Sequence, residues 1–368
     1  MKIEAKLTNS ILKEDLVYIH NQVKPEQKFK DSTILITGCA GFLGYYFLNY
    51  FLAFKELLGF KKIICLDNFI LGKPSWLKKL EDSNKEYIDL YQFDISKDKI
   101  SSINNSAEAD YIIHMASIAS PVFYRKYPLQ TIDANIWGLR NLLEYYKANK
   151  LKGFLFFSSS EIYGDPAPDC IPTTEEYRGN VSMNGPRACY DESKRFGETL
   201  CYVFSKEYKL PITIVRPFNN YGPGMKLNDK RAPADFANSI ISNKDIVLYS
   251  DGKPTRTFCY VADAIGGYLK SLLLGKYEYF NIGIDKPEIS IRELAEIYLR
   301  QGKLIYNYTG KIVLEKSQEE NYLTHNPNRR CPDIDKSRKI LNYTPSIHVE
   351  EGVGKFLKFL KYGGVNKL

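Results

Sequence analysis

The chain has little of what builds metal or disulfide sites. Its four histidines lie far apart, and its seven cysteines are scattered without a Cys-x-x-Cys pair. That pattern indicates neither a zinc site nor a disulfide framework. No apolar run reaches the roughly 20 residues of a membrane span, and Met1 to Lys30 lacks the apolar core of a signal peptide. The expectation is a cytoplasmic protein with no metal and no membrane partner. There is no basic tail or Arg-rich block, so nucleic acid is not an expected partner either. Internal repeats and low-complexity segments are also missing. The net charge of +8 fits an anionic ligand, and equally a lysine-rich surface with no functional content. What remains is an ordinary globular composition, 44% hydrophobic and 26% charged over 368 residues. That suits one large α/β unit with a smaller lobe, or two domains.

The densest signal is Thr33-Ile34-Leu35-Ile36-Thr37-Gly38-Cys39-Ala40-Gly41-Phe42-Leu43-Gly44. A β-branched apolar run stops at a glycine, and two more glycines follow at three-residue spacing. An apolar, aromatic segment from Tyr45 to Phe54 comes next, free of Pro and Gly. This reads as strand, tight turn, helix. One glycine lets the chain turn, one lets backbone approach a pyrophosphate, and one lets helix pack on strand. The helix N-terminus then offers N–H groups to phosphates. The spacing is GxxGxxG, a variant of the GxGxxG fingerprint. A second apolar run, Lys62 to Asp67, ends in an acid about 30 residues after the first glycine. An Asp there can accept from ribose hydroxyls, which favours NAD, although Lys73 leaves NADP open. The plainer reading of Asp67 is a strand-end turn residue, helped by Asn68.

From Asp31 onward, strands alternate with helices. Strand candidates are Thr33–Thr37, Lys62–Asp67, Asp89–Asp94, Tyr111–Met115, Gly153–Ser158 and Pro211–Arg216, with helices notably at Pro128–Lys150 and Tyr190–Tyr208. Such alternation predicts an α/β fold with a doubly wound parallel sheet. Ligands then bind beyond the C-terminal strand ends, at Asp67, Asp94, Met115 to Ser120, Ser158 to Glu161, and Pro217 to Tyr221. After Arg216 the rhythm breaks into a smaller α/β C-terminal lobe. A loop (Asn219 to Arg231) leads to a helix (Ala234–Ser242), a strand (Ile246–Tyr249), a helix (Ile291–Leu299), a strand (Lys311–Glu315) and a final helix (Val349–Leu360). The expected division is an extension over 1–30 and a dinucleotide domain over 31–217, with a returning piece about 255–285. Residues 218–254 and 286–368 form the substrate lobe, and the cleft between them is the natural substrate site. In the extension, Ile11, Leu12, Leu16, Ile19 and Val23 recur at helical spacing, so one amphipathic helix is expected there. It can serve as a packed extension or an oligomer contact.

Tyr190-Asp191-Glu192-Ser193-Lys194 places Tyr and Lys on one helical face. An ammonium beside a phenol stabilises the phenolate and lowers its pKa, so the Tyr can act as a base. Ser158-Ser159-Ser160-Glu161 follows a buried-looking strand and brings hydroxyls to the same edge. Ser, Tyr and Lys together can hold a substrate hydroxyl, remove its proton and assist hydride loss to a nicotinamide. Alone, such a Tyr–Lys pair is ordinary helix surface; with the glycine loop and Asp67 it is a site.

These pieces, in this order, resemble the extended short-chain dehydrogenase/reductases that act on nucleotide sugars. The matching segments run from about Thr33 to about Asp333: the GCAGFLG loop, CLDNF, FDIS, HMAS, SSSEIYGD, YDESK, RPFNNYGPGM, DGKPTRTFCYV and FNIG. The resemblance implies a Rossmann sheet and NAD held by Gly38, Gly41, Phe42, Leu43, Gly44, Asp67, Asn68, Asp94, Ile95, Tyr190 and Lys194. Within the family, Ala119 to Tyr124, Asn184 to Lys194 and Glu161 are similar to segments of the UDP-glucuronate decarboxylases. Arg330, before Cys331-Pro332-Asp333, matches an arginine of their C-terminal lobe. That likeness implies catalytic roles for Tyr190, Lys194, Ser159, Ser160, Glu161 and Arg330. It implies nucleotide-sugar contacts from Ser120, Pro121, Arg187, Asn219, Arg231, Arg256 and Arg330. It also implies a homodimer through a four-helix interface built from 128–150 and 190–208.

Two departures stand out. Ser159 replaces the usual Thr, which keeps the hydroxyl. The family's YGPRM reads Tyr221-Gly222-Pro223-Gly224-Met225 here, without its arginine. Nucleotide-sugar 4,6-dehydratases carry an Asp where this chain has Ser160, so their acid is missing. 4-Epimerases usually carry a small residue at the place of Glu161. A non-catalytic dinucleotide sensor would need only the glycine loop, and retention of Tyr190, Lys194 and the hydroxyls speaks against it.

Overall fold

The protein, here a computed structural model, is described for residues 9–316 and 324–364. Residues 1–8 of the expected extension lie outside the described residues, as do 317–323 and 365–368 of the expected lobe. The central sheet holds β1 (Thr33–Thr37), β2 (Lys62–Asp67), β3 (Ile88–Gln92), β4 (Ala109–His114), β5 (Gly153–Phe157), β6 (Ile212–Pro217) and β7 (Glu278–Ile282). All pair in parallel, in the order β7-β6-β5-β4-β1-β2-β3. Both faces are covered, which is why the strands read as nearly continuous apolar runs. Ile34, Ile36, Ile63, Cys65, Leu155 and Phe157 enter one core, and Leu35, Ile64, Leu66, Phe154 and Phe156 enter the other. This is the period of two expected of a pleated strand.

The helices that position the site are α1 (Ser10–Val23), α2 (Phe42–Ala53), α3 (Leu139–Tyr146), α4 (Ala188–Tyr208), α5 (Ala232–Ile241), α6 (Val261–Leu273), α7 (Ile291–Tyr306) and α8 (Val349–Lys361). The expected helix over 128–150 is broken. Pro128–Ile132 is α-helical, Asp133–Gly138 makes a π turn, and α3 follows. The wider turn holds Asn135, which is buried and donates to Ser193 Oγ at 2.9 Å.

Strand β7 has no counterpart among the sequence-based strands. Its apolar run is interrupted by Asn281, whose side chain accepts from Tyr163 and donates to the Thr173 and Asp333 carbonyls. A satisfied polar residue inside a buried strand hides the strand's period. The expected strand at Asp89–Asp94 ends early, because the Asp94 carboxylate accepts from Ser96 N and Oγ and starts a turn.

The C-terminal lobe contains α5, α7, α8 and two small ribbons. Ile246–Leu248 pairs in parallel with Ile312–Leu314. Thr255–Arg256 pairs with Arg329–Arg330, which sets Arg256 directly beside Arg330. Among the described residues, no helix is long and apolar enough to cross a membrane.

Helix α1 buries Ile11, Leu12, Leu16 and Ile19 against this body, packing on α6 and α8. Its apolar face is therefore used within the chain. Asp15, fully buried, accepts from Tyr46 of α2 at 2.8 Å and from Tyr260 at 2.6 Å, with Lys355 of α8 3.0 Å away. Removing one partner of such a buried cluster strands the rest. Asp15→Ala should cost about 3 kcal/mol in urea unfolding. A loss within the range of a surface pair, about 1 kcal/mol or less, would show that the cluster carries no weight.

Candidate active site

Strands β1 and β4 are neighbours, yet the chain leaves them toward opposite ends of the sheet. Their exit loops part and open a crevice at the C-terminal edge. A cavity of about 660 Å³ lies there, between the sheet and the lobe. Gly38, Gly41, Phe42, Leu43, Gly44, Asp67, Asn68 and Ile95 line it from the strand-exit loops. Ser120, Pro121, Ser159, Ser160, Glu161, Arg187, Tyr190 and Lys194 line its middle, and Asn219, Arg231 and Arg256 come from the lobe side. Asp94 is not in its wall; the turn with Ser96 takes its carboxylate. Arg330 is also outside the wall, lying behind Glu161 with 1% exposure.

The dinucleotide side is built from backbone. A Cβ on Gly44 would lie 2.2 Å from the Cys39 carbonyl oxygen, so only glycine lets α2 sit on the loop. No side chain caps α2, which leaves N–H groups of its first turn for an anion. The Asp67 carboxylate accepts from Ala40 N and Phe69 N, both at 2.9 Å. Burial raises its pKa, while those bonds and Lys226 oppose the rise. Lys226 also donates to the Leu71 carbonyl at 2.9 Å, tying the lobe's loop to the loop after β2. A carboxylate beside a helix N-terminus fits the ribose and pyrophosphate of NAD.

Tyr190 is buried and stacks on Tyr124, with centroids 5.1 Å apart and planes 10° apart. Burial pushes its phenol up to about 12; the Ser159 hydroxyl and Arg231 pull down, Glu161 and Asp191 push up. Lys194 lies one helical turn beyond Tyr190. Its ammonium donates to the Phe157 carbonyl at 2.7 Å and stands 5.8 Å from the Tyr190 centroid. Burial lowers the Lys194 pKa to about 7. The geometric pairing is thus present, while burial outweighs the pull of Ser159 and Arg231 toward phenolate. NAD, when bound, supplies a hydride acceptor and the positive charge of its oxidised ring.

Glu161 is the meeting point of the arginines. Its Oε2 accepts from Arg187 Nη2 and, at 3.0 Å, from Arg330 Nη2. Arg330 also donates to the Ser160 carbonyl. Arg256 lies near enough to act on Glu161 electrostatically, while donating to the carbonyls of Thr255, Pro327 and Asn328. Burial alone would raise the Glu161 carboxyl, but Arg330, Arg187 and Arg256 outweigh it and hold the pKa below the usual range. Asp191, one turn after Arg187, is 3.5 Å from its Nε. Burial and the Glu161 charge push Asp191 up to about 7. Arg187, Arg256 and Arg330 therefore share Glu161, Asp165 and a partly protonated Asp191, which leaves positive charge in slight excess.

The sequence points to the arginines one by one; the fold brings them together. Asp191 and Asn135 were absent from the candidate residues. The i, i+4 spacing of Arg187 and Asp191 is a usable signal for the first, whereas a π turn has none. Asn219 donates to the Thr257 carbonyl at 2.9 Å, Ser120 to the Asp229 carbonyl at 2.6 Å, and Arg231 pairs with Asp229. Gly224 has φ +90° and its Cβ would meet Tyr45 Cδ1 at 2.7 Å. Tyr45 of α2 thus excludes the arginine of the family pattern.

The sequence profile of the NAD dependent epimerase/dehydratase family matches residues 34–283. UDP-glucuronic acid decarboxylase 1 of Xenopus tropicalis is 32% identical over 333 residues, covering 89% of this chain and 72% of that protein. UDP-glucuronic acid decarboxylase 6 of Arabidopsis thaliana is 33% identical over 320 residues, covering 87% and 86%. Among solved structures, UDP-glucuronic acid 4-epimerase from Bacillus cereus, in complex with UDP-glucuronic acid and NAD, superposes with a TM-score of 0.71. It is 25% identical and covers 89% of this chain and 99% of its own. With a matching profile over more than half its length, a switch-point cavity and the Ser–Tyr–Lys set, the chain belongs to the NAD-dependent epimerase/dehydratase family of enzymes.

Proposed function

We propose that the protein decarboxylates UDP-glucuronate to UDP-xylose. The observation that carries this reading is the cluster of Arg187, Arg256 and Arg330 around Glu161 beside Tyr190. Its slight excess of positive charge suits a sugar that brings its own carboxylate, and a neutral hexose would leave it unused. Tyr190, held by Ser159, would take the C4 hydroxyl proton, and NAD at the glycine loop and Asp67 would supply the hydride acceptor for C4. The C4 ketone stands β to the carboxylate, so the C–C bond breaks with its electrons flowing to the ketone oxygen. Carbon dioxide departs, the enolate takes a proton from water at C5, and the reduced cofactor would give the hydride back to C4 as Tyr190 returns its proton. Glu161, held ionised, is not the C5 acid. It repels the substrate carboxylate, and loss of carbon dioxide relieves that repulsion. Arg187, in the cavity wall, is the carboxylate contact, and Arg330 fixes Glu161 from behind.

The runner-up is C4 inversion of the same substrate, favoured by the likeness to the UDP-glucuronic acid 4-epimerase. A 4,6-dehydration is disfavoured because Ser160 stands where its acid is needed.

We also propose a homodimer through the 128–146 and α4 helices. Leu129 and Trp137 on the first, and Phe196, Tyr202 and Val203 on the second, are exposed apolar side chains on packed neighbours.

Incubation with UDP-glucuronate, read by mass spectrometry, should show loss of carbon dioxide and a UDP-pentose. An unchanged mass would remove the decarboxylase reading, and C4 inversion by NMR would then favour the epimerase. Glu161→Gln should lower kcat by about 100-fold while bound NAD is retained; an unchanged kcat would remove Glu161 from the chemistry. Trp137→Glu should convert a dimer to a monomer in sedimentation analysis, and an unaltered dimer would place the interface elsewhere.

A further inference from the structure

The lobe side of the cavity carries an acidic side chain with no use in the chemistry above. Its neighbour Asp229 is taken by Arg231, which donates from Nε and Nη2. Asp235 is different. It lines the cavity and is partly buried, and among the described residues no hydrogen bond or ion pair reaches its carboxylate. Helix α5 presents it by ordinary periodicity, since Ala232, Asp235 and Phe236 share one face and all line the cavity. Around it the lobe contributes Phe236, Val247, Leu248, Tyr249, Phe258 and Ile291 to the same cavity. These side chains make an apolar, aromatic-rich wall that suits the faces of a flat heterocycle.

The order of residues matches a nucleotide sugar. Arg231 is close enough to Tyr190 for each to shift the other's ionisation. Asp235 stands one helical turn beyond Arg231. A sugar at Tyr190 and a diphosphate at Arg231 leave the base for the wall around Asp235. Burial raises the Asp235 pKa to about 6, with Lys230 opposing and Asp229 adding. At pH 7.5 the group is therefore mainly a carboxylate, which only accepts hydrogen bonds.

We propose that Asp235 selects the nucleotide base by accepting its ring imino N–H. This rests on the nucleotide-sugar reading above. Uracil and thymine carry that donor at N3 and guanine carries it at N1. Cytosine and adenine present a ring-nitrogen lone pair instead, which would face a buried carboxylate.

The test is calorimetric titration of the NAD-loaded protein at pH 7.5 with UDP and with CDP. A hydrogen bond to a charged group predicts that UDP binds about tenfold or more tightly than CDP. Asp235→Leu should bring the two within about threefold, and Asp235→Asn, whose amide offers both donor and acceptor, should do so by tightening CDP. The asparagine variant keeps the shape of the site, so it decides the matter if the leucine variant misfolds. Equal binding of UDP and CDP by the wild type overturns the proposal, as does a preference that survives both substitutions. Failure of the wild type to bind either nucleotide overturns the nucleotide-sugar reading itself, and the base selection falls with it.

Discussion

The structure depends on how a half-buried carboxylate is kept charged. Glu161 sits just beyond β5, where desolvation by itself would raise its pKa. Arg187 from the start of α4 and Arg256 and Arg330 from the lobe ribbon converge on it. Such a cluster adds little net stability, because desolvation offsets its Coulomb energy, but losing one member leaves unpaired charge in the interior. The sheet and the lobe are thus joined through the same groups that would meet a substrate carboxylate.

Burial also governs the base. Tyr190 and Lys194 lie where desolvation raises the phenol and lowers the ammonium. Both shifts favour the neutral forms, so the pair holds its geometry without its charge separation. Positive charge introduced beside them changes that balance.

A second tie runs through the N-terminal helix. Asp15 joins α1 to Tyr46 of the glycine-loop helix, to Tyr260 before α6, and to Lys355 of the last helix. Tyr45, next to Tyr46, is the side chain that fills the space beside Gly224. The glycine at 224 and the aromatic face of α2 therefore fit each other, which shows only with both segments in place.

The strands β1 to β6, the glycine turn and the Tyr–Lys helix were legible because each is encoded locally. A β-branched run flanked by glycine, or an i, i+4 pair, carries its meaning within a few residues. Strand β7 was not, since Asn281 is satisfied by Tyr163, Thr173 and Asp333, all distant in sequence. The π turn over 133–138 was not, because what holds Asn135 inward is Ser193 on another helix. Asp94 stands at a strand end as a ligand residue would, and its carboxylate also accepts from Ser96 in a turn. By itself, then, the sequence determined six strands of the sheet and the glycine turn after β1, and it named candidates for the reacting side chains. Only the tertiary structure decided which charges share a site and which pKa values move, because Coulomb energy and desolvation depend on distances between segments far apart in the chain.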